Sequence, residues 1–409
     1  MEQQIRDRYS TTVLHEAMRR YGIADGQIRP LDAFESFIYE FECGPDAYIL
    51  RLSHSLRRSK ALIQGEVDWI NYLAAGGVSA ARAVLSQDGE LVESIADGQG
   101  GHFLATAFVK AQGQPPWDLW SPALYRSYGQ VLGSMHALAQ RYQPAEPAWR
   151  RPAWDDDIME FVERYLPASE AAAKQRYRAV CDHLRTLPRD AASYGLIHQD
   201  AHGSNFFVDQ AGAITLFDFD ECAYSWYVND IAIVLFYTVM DADDWPAFTQ
   251  EFMTHFLQGY GQAHRLDARW LQEIPHFLKA REIELYAVAH RDFDVDNIED
   301  EWMARFMRDR KHRIEHDVPT IDFDFASLSF LLGGATMTFE TDGQLENDFP
   351  SGLGKPALRA LDAAGYTRLE QLTQVREADL LALHGMGPKA TGLLRSALNA
   401  RGLAFADPD

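Results

Sequence analysis

Cysteine is scarce in this sequence, with three residues among 409, and the three lie far apart. Cys43, Cys181 and Cys222 form no C-x-x-C pair, so neither a disulfide framework nor a thiolate metal cluster is predicted. We expect each of them to be a small buried packing residue in a protein kept in a reducing compartment.

Positive charge and long apolar runs are also in short supply. Lysine and arginine number 38 against 60 aspartates and glutamates, a net charge of -22, which argues against a general nucleic-acid-binding surface and slightly favours cationic substrates. The longest strongly apolar run, residues 231–240, is about half of the roughly 20 residues that cross a bilayer. The N-terminal segment is charged and lacks the apolar stretch of a secretory signal. We therefore expect a cytoplasmic protein without a membrane partner.

The sequence contains enough apolar residues for a large globular protein. A hydrophobic fraction of 47% and a charged fraction of 24% supply an ample core, and the chain length predicts two or three folding units. Apolar alternation between turn signals predicts four strands, and a helical period predicts a helix between the second and third of them. The strands are residues 36–42, 47–52, 90–95 and 102–109, and the helix is 59–75.

These elements divide the chain into four predicted regions. Residues 1–110 hold an antiparallel sheet with its helix, and residues 111–335 are largely helical around a β-rich interruption at 195–219. A polar linker is predicted at 336–350, and short helices follow at 351–409. The predicted fold class is therefore α+β, with a small all-α C-terminal domain.

Two carboxylates and an amide have the spacing of a phosphotransferase site. Asp200 precedes Asn205 by five residues between two short apolar stretches, which is the H-x-D-x-x-x-x-N spacing of kinase catalytic loops. A short strand then leads into Asp218, whose carboxylate can face Asn205 and share Mg²⁺ with it. Each residue alone is most often a turn former, but their order and spacing together favour phosphoryl transfer.

Two stretches of the sequence resemble aminoglycoside phosphotransferases and YihE-like stress response kinases, namely IHQDAHGSNFFVD and ITLFDFDECAYSWYVNDIAI. They are similar to that family's H-G-D-x-H-x-x-N and I-D-F-D motifs. The resemblance implies a protein-kinase-like two-lobed fold, an antiparallel-sheet N-lobe and a helical C-lobe, with ATP and Mg²⁺ as cofactors. It also implies that Asp200 is the catalytic base, that Asn205 and Asp218 are the metal ligands, and that His198 supports the loop.

Four neighbouring residues keep open interpretations. Asp230 resembles the family's aspartate that braces the catalytic loop, but its position equally suits the N-cap of the following apolar helix. Asp220 is either a ligand of a second Mg²⁺ or structural, with the structural role slightly favoured. Gln199 replaces the family's usual glycine and is expected to alter the loop geometry or the acceptor's access. His202 matches the family's second histidine, and no role is assigned to it.

The predicted nucleotide-binding half is less specific, because no G-x-G-x-x-G motif is present. The resemblance places Arg51, in the second predicted strand, where the family delivers a cation to the α- and β-phosphates, a task that arginine can perform bidentately. Glu66, on the helix, can pair with Arg51 and orient it, although a solvated helix position is the alternative.

Two further nucleotide contacts are implied by the resemblance alone. Ser36 belongs to residues 34–37, which resemble the family's short nucleotide loop. Ala107 and Val109 belong to residues 107–110, which resemble the hinge whose backbone binds adenine.

The acceptor is expected to be a hydroxyl of a small molecule. Members of the resembled family phosphorylate aminoglycosides or amino-alcohols, and some phosphorylate protein serine and threonine, which stays the alternative. Acidic runs at 241–244 and 292–301 can attract a cationic acceptor, but a solvated surface is the better interpretation. Trp226, Trp245 and Trp302 can line a pocket, although packing is their default.

The C-terminal residues 383–390, LHGMGPKA, resemble the hairpin of helix-hairpin-helix DNA-binding modules. Glycines there let backbone N–H groups approach a phosphate at a helix start, and Pro388 suits the first helical position. Basic and acidic residues nearly balance over 351–403, so DNA contact would be weak. A packing or protein-interaction domain is an equally good interpretation. The whole chain can also be a nucleotide-binding regulator that uses this module to contact DNA or a partner.

Overall fold

The computed structural model describes residues 1–332 apart from Phe34 and Asp157. In the C-terminal region it describes residues 349–350, 353, 357, 360–361, 364, 366, 368–381, 383, 386–401 and 403–406. The chain divides into two compact units, Met1–Gly333 and Gly334–Asp409. Most of the predicted linker therefore lies outside the described residues.

An antiparallel sheet forms the first part of the larger unit. Its strands are β1 (Ile28–Leu31), β2 (Phe37–Cys43), β3 (Asp46–His54), β4 (Ala83–Val84), β5 (Glu93–Ala96) and β6 (His102–Val109). Their order is β1-β2-β3-β6-β4, with β5 also paired to β6. Gly44, at a φ of 65°, allows the tight turn that sets Cys43 opposite Asp46. This turn fixes the β2–β3 register, which places Arg51 opposite Ile38, and β6 on the other side of β3 places Thr106 opposite Arg51.

Three helices belong to this N-lobe: α1 (Gln3–Arg6), α2 (Thr11–Tyr21) and α3 (Lys60–Ala75). α3 begins after Ser59, whose hydroxyl accepts a hydrogen bond from the backbone N–H of Leu62 (3.3 Å). Its buried face includes Trp69 and, unexpectedly for an acid, Glu66. The predicted strands and helix are found close to their predicted bounds. β1 was not predicted, because Pro30 interrupts the alternation and is tolerated only in an edge strand.

The C-lobe is built from eight helices in the described part of the larger unit. They are α4 (Pro122–Ala139), α5 (Ile158–Tyr165), α6 (Ala171–Arg185), α7 (Tyr227–Val239), α8 (Trp245–Ala263), α9 (Ile274–Asp292), α10 (Glu301–Met307) and α11 (Arg310–Glu315). α4 and α8 cross closely because Gly129 and Gly259 lie at the contact. A Cβ on either glycine would stand 1.9 Å from a backbone carbonyl oxygen of the other helix.

Two antiparallel strand pairs lie between α6 and α7 and carry the predicted catalytic segment. β7 (Tyr194–Ile197) pairs with β10 (Ala223–Trp226), and β8 (Phe206–Val208) pairs with β9 (Ile214–Leu216). All four lie in or beside the predicted β-rich interruption. The predicted α+β class, with a sheet N-lobe and a helical C-lobe, is confirmed.

The described part of the smaller unit is helical. It contains a 3₁₀-helix (Leu369–Gln374) and helices α12 (Glu377–Leu381) and α13 (Pro388–Ala400). Its core includes the fully buried leucines Leu361, Leu369, Leu372, Leu380, Leu394 and Leu398. Pro388 occupies the first position of α13, whereas His384 and Gly385 of the predicted hairpin lie outside the described residues.

The three cysteines differ in their exposure to solvent. Cys181 and Cys222 are buried as expected, but Cys43 is exposed, because it ends β2 at the turn. Within the described part of the chain, no helix combines the length and the apolar content that crossing a membrane requires.

Candidate active site

Asp230 holds the loop that follows β7. Its carboxylate accepts hydrogen bonds from the backbone N–H groups of His198 (3.0 Å) and Gln199 (2.7 Å). Nε2 of the buried His136 lies 3.1 Å from the same carboxylate. Asp230 is the fourth residue of α7, and the N-cap position belongs to Trp226. The loop-bracing interpretation is therefore correct and the N-cap interpretation is wrong.

His198 joins the same loop to the end of the β8–β9 hairpin. Its Nδ1 accepts from the backbone N–H of Asp200 (3.3 Å), so a neutral ring carries its proton on Nε2, which lies 3.1 Å from the carbonyl oxygen of Phe217. Burial lowers the pKa of His198, which keeps the ring in this neutral form. Both ring nitrogens are thus used to fix the loop, as the predicted supporting role requires.

Asp200 lies at the centre of a charged cluster. Its Oδ1 accepts from Arg281 Nη2 (2.6 Å), and its Oδ2 accepts from Asn205 Nδ2 (3.0 Å). His202 Nε2 lies 3.3 Å from Oδ2. Burial alone would raise the pKa of Asp200, but His202 and the Arg281 guanidinium outweigh it and hold that pKa well below its usual range. Asp200 is consequently a carboxylate with a fixed orientation.

Asn205 and Asp218 are brought side by side by the β8–β9 hairpin. Asn205 directly precedes β8, and its carbonyl oxygen accepts from the backbone N–H of Phe217 (2.9 Å), the residue before Asp218. Asp218 has a φ of 59°, a left-handed conformation that turns the chain out of the strand. Desolvation in the cleft, opposed by Arg51 and reinforced by Asp220, raises the pKa of Asp218 to about 6. An amide and a carboxylate oxygen are donors that fit a hard divalent cation.

Arg51 and Glu66 form a buried bidentate ion pair between β3 and α3. The two guanidinium nitrogens lie 2.8 and 2.6 Å from the two carboxylate oxygens. Arg51 Nη1 is also 3.9 Å from Asp218 Oδ1, so the pair reaches the predicted metal site. Glu66 is fully buried, which excludes its alternative as a solvated helix position.

The other predicted nucleotide contacts have mixed geometry. Ser36 is buried, with its hydroxyl 3.0 Å from that of Ser53, whereas Phe34 of the same predicted loop lies outside the described residues. Ala107 and Val109 are both in β6, and Ala107 pairs with Leu50 on β3. The backbone N–H of Val109 donates to the carbonyl of Arg82 (2.9 Å). The predicted adenine contact through that N–H would therefore compete with the sheet.

Three arginines tie the Asp218 loop to the N-lobe. Arg57 pairs with Asp220, and both Arg57 and Arg58 pair with Glu221 at 2.9 and 2.7 Å. The buried Arg151 donates to the carbonyl oxygens of Asp220 (2.6 Å) and Cys222 (2.9 Å), and to that of Leu62 on α3 (2.9 Å). These partners support the structural interpretation of Asp220.

The space beside the catalytic loop is partly open. Gln199, at a φ of 69°, lines a cavity of about 660 Å³ that also receives Glu35, Arg57 and Arg291. On the Asp200 side, Tyr237 accepts from Arg281 (2.8 Å) and its ring lies 4.5 Å from that of His202.

The tryptophans and acidic residues that could contact the acceptor lie in different environments. Trp302 stacks on Tyr237 (6.0 Å), whereas Trp226 is wholly buried core. Within the acidic runs, Asp244 and Asp300 cap helices and Asp241 pairs with Arg305, which agrees with the surface interpretation.

Arg281 and Arg151 were missed by sequence reasoning. Arg281 is 81 residues from Asp200 along the chain, and Arg151 is 69 residues from Asp220. Neither stands in a motif, so no spacing in the sequence could reveal them. The local signal for Arg281 is its position in α9, at a helical spacing from Leu278 and Leu285 where an apolar residue would be expected.

Comparisons with known proteins identify the family and the relatives of this chain. A sequence profile of the phosphotransferase enzyme family (APH) matches residues 27–271. The chain is 40% identical over 324 residues to the amicoumacin kinase of Bacillus subtilis (strain 168), covering 77% of this chain and 95% of that protein. A solved amicoumacin kinase in complex with AMP-PNP, Ca²⁺ and Ami has 36% identity and a TM-score of 0.76, covering 80% of this chain and 100% of that one. A solved microcompartment-associated aminopropanol kinase shares the fold, with 22% identity and a TM-score of 0.61, covering 75% of this chain and 97% of that chain.

Proposed function

Because the chain belongs to the phosphotransferase enzyme family (APH), we propose that it transfers the γ-phosphate of ATP to a hydroxyl of an amicoumacin-like small molecule. The observation that carries this proposal is the 40% identity that extends over 95% of the amicoumacin kinase. The charged cluster around Asp200 supplies the groups for phosphoryl transfer. The 40% identity to the amicoumacin kinase narrows the proposed acceptor class from aminoglycosides and amino-alcohols in general to amicoumacin-like molecules.

Asp200 is proposed as the residue that receives the acceptor hydroxyl. A carboxylate whose pKa lies far below neutrality is a weak base, so its main contribution is to orient the hydroxyl towards the phosphate. Arg281 holds one oxygen of Asp200 and Asn205 the other, which limits the directions from which a hydroxyl can approach. His198 and Asp230 position the backbone that carries Asp200.

Asn205 and Asp218 are proposed as the ligands of Mg²⁺. The metal, when bound, would neutralise charge on the nucleotide phosphates. Arg51, oriented by Glu66, would supply a fixed positive charge beside them. Ser36 and the backbone at Ala107 and Val109 are proposed to line the rest of the nucleotide site, with Val109 offering its carbonyl rather than its N–H.

The domain division is proposed as residues 1–110, 111–335, 336–350 and 351–409. The helix-hairpin-helix character of the last region and its weak contact with DNA or a protein partner stay predictions. Its helices and leucine core support a separate domain. The YihE-like subgroup stays a prediction as well.

An acceptor panel tests the proposed activity. The purified full-length protein is incubated with radiolabelled ATP and Mg²⁺, together with amicoumacin, aminopropanol, an aminoglycoside or a protein lysate. We expect label on amicoumacin, and a loss of about 10²–10⁴ in rate for Asp200→Asn. Asp241→Asn, which alters an exposed aspartate paired with Arg305, is the matched control and should retain the rate.

The same panel decides between the alternatives. Label transferred mainly to lysate proteins would indicate a protein serine/threonine kinase. Thermal stabilisation by ATP without labelling of any acceptor would indicate a nucleotide-binding regulator. Either result would contradict the proposed function.

A further inference from the structure

Three metal-ligating side chains converge on the C-lobe surface, away from the residues discussed above. His183 lies near the end of α6, Glu273 directly precedes α9, and His276 is in the first turn of α9. The ligand atoms of all three lie within 4.8 Å of one another. Oε2 of Glu273 is 2.7 Å from His183 Nε2 and 3.2 Å from His276 Nδ1. Both imidazoles thus present a nitrogen to the same carboxylate oxygen.

The contact between His276 and Glu273 lacks hydrogen-bond geometry. Nδ1 of His276 is buried and has no hydrogen-bond partner among the described residues, although the carboxylate oxygen is 3.2 Å away. Two ligands bonded to one tetrahedral Zn²⁺ at about 2.0–2.1 Å stand roughly 3.3 Å apart and do not hydrogen-bond each other. The 3.2 Å between these two atoms is compatible with two ligands of one cation, whereas the 2.7 Å between Glu273 and His183 is a hydrogen-bond distance that metal binding would lengthen.

We propose that His183, Glu273 and His276 bind one divalent transition-metal ion of the Zn²⁺ class. Two imidazoles and one carboxylate select such an ion over Mg²⁺, which prefers oxygen ligands. Because all three side chains remain partly exposed, the fourth position is open to a water molecule. The site is separate in donor type from the oxygen donors Asn205 and Asp218.

Both imidazoles must be neutral to bind the ion. His183 gives up its hydrogen bond to Glu273, with the Nε2 proton either released to solvent or replaced by one on Nδ1. The two rings stack with centroids 3.9 Å apart and 29° between their planes, so one of them has to turn before both in-plane lone pairs reach the same ion. The bound ion would join α6 to α9, the helix that carries Arg281.

Metal binding by the full-length protein tests the site. The protein is stripped with a chelator, transferred to buffer with excess Mg²⁺, and titrated with Zn²⁺ in competition with a chromogenic chelator. Co²⁺ is added in a parallel titration, because nitrogen-ligated tetrahedral Co²⁺ absorbs visible light. We expect one ion per chain and a Tm that rises with Zn²⁺ concentration.

Substitutions locate the ion. His183→Gln and His276→Gln should each weaken Zn²⁺ binding at least about ten-fold and abolish the Co²⁺ band, while leaving the Tm of the metal-free protein close to that of the wild type. His15→Gln, which removes an exposed histidine on α2, is the matched control and should bind as the wild type does. Unchanged binding in His276→Gln overturns the proposal. So does a loss of binding in His312→Gln, which alters a different stacked histidine pair, His312 with His316.

Discussion

Gln199 holds a backbone conformation that residues with a Cβ rarely adopt. Its φ is 69°, and its backbone N–H is committed to the carboxylate of Asp230. The family's usual glycine adopts this conformation without the steric cost of roughly 1–2 kcal/mol that a Cβ carries. The side chain compensates in part, because its carbonyl oxygen accepts a hydrogen bond from Asn229 (3.2 Å).

Substitution of Gln199 should separate these two effects. Gln199→Gly and Gln199→Ala both lose the hydrogen bond to Asn229, but only the alanine keeps the Cβ. We expect the free energy of unfolding of Gln199→Gly to exceed that of Gln199→Ala by up to about 1 kcal/mol. The difference is smaller than the full steric cost of the Cβ, because glycine has greater conformational freedom in the unfolded chain. Urea denaturation of both variants measures the difference. An alanine variant as stable as the glycine variant would mean that the loop relaxes to accommodate the Cβ.

Asp218 carries an electrostatic cost in the absence of metal. Its pKa is raised to about 6, above the usual value near 3.9, so charging this group disfavours folding, but its side chain is 57% exposed and solvent screening keeps the penalty small. The penalty is absent below the unfolded pKa, grows as the pH rises, and is complete above about 6. Asp218→Asn should therefore raise the Tm of the metal-free protein at pH 7.5 but not at pH 4.

The pH series of Tm values for wild type and Asp218→Asn checks this sign. Asp209→Asn, at a β-turn outside the cluster, is the control for the loss of an aspartate. A Tm difference between wild type and Asp218→Asn that stays constant from pH 4 to 7.5 would contradict the raised pKa. With Mg²⁺ and ATP present the order should reverse, because the asparagine is a poorer metal ligand than a carboxylate.

At the scale of elements, α3 links β3, which carries Arg51, to the loop at Asp218. Glu66 near the middle of α3 orients Arg51 on β3, and the turn before α3 holds Arg57 and Arg58 against Asp220 and Glu221. A shift of α3 would therefore displace the Arg51 guanidinium and the Asp218 loop together. The ion pairs of Glu221 are partly exposed, so each contributes at most about 1 kcal/mol.

Reversing the charge of Glu221 should show whether α3 couples Arg51 to the Asp218 loop. Glu221→Arg would repel Arg58, loosen the start of α3 and lower kcat/KM for ATP about five-fold, the equivalent of about 1 kcal/mol. The double variant Arg58→Glu with Glu221→Arg restores an attractive pair and should recover part of that loss. Steady-state kinetics at varied ATP measure both. Reversal of the exposed pair Arg305 and Asp241 is the control and should leave KM for ATP unchanged. An additive effect in the double variant would show that Arg58 and Glu221 are not coupled and would contradict this link.

At the scale of the whole molecule, the sequence predicted what is local and missed what is distant. The catalytic loop and the Asp218 strand lie within 20 residues, so their spacing survives in the sequence as a pattern. Arg51 and Glu66 are 15 residues apart on a strand and the next helix, which made their pairing predictable. Arg281 and Arg151 reach the site through tertiary packing over more than 60 residues. The side chains of Tyr237, Arg281 and Trp302 on the Asp200 side also meet through tertiary packing, and no sequence pattern links them to an acceptor.

The two compact units lead to a prediction about the chain as a whole. The larger unit, Met1–Gly333, contains every residue assigned to the proposed site and buries its own core. The solved amicoumacin kinase is matched over 100% of its length by 80% of this chain, so about a fifth of the chain has no counterpart there. A protein ending at residue 333 should therefore keep its acceptor specificity and its kcat/KM for ATP within about two-fold, the equivalent of about 0.4 kcal/mol. Parallel kinetics of the truncated and full-length proteins measure the ratio. Loss of transfer in a truncated protein that still binds ATP and unfolds cooperatively would instead assign the C-terminal unit to the reaction.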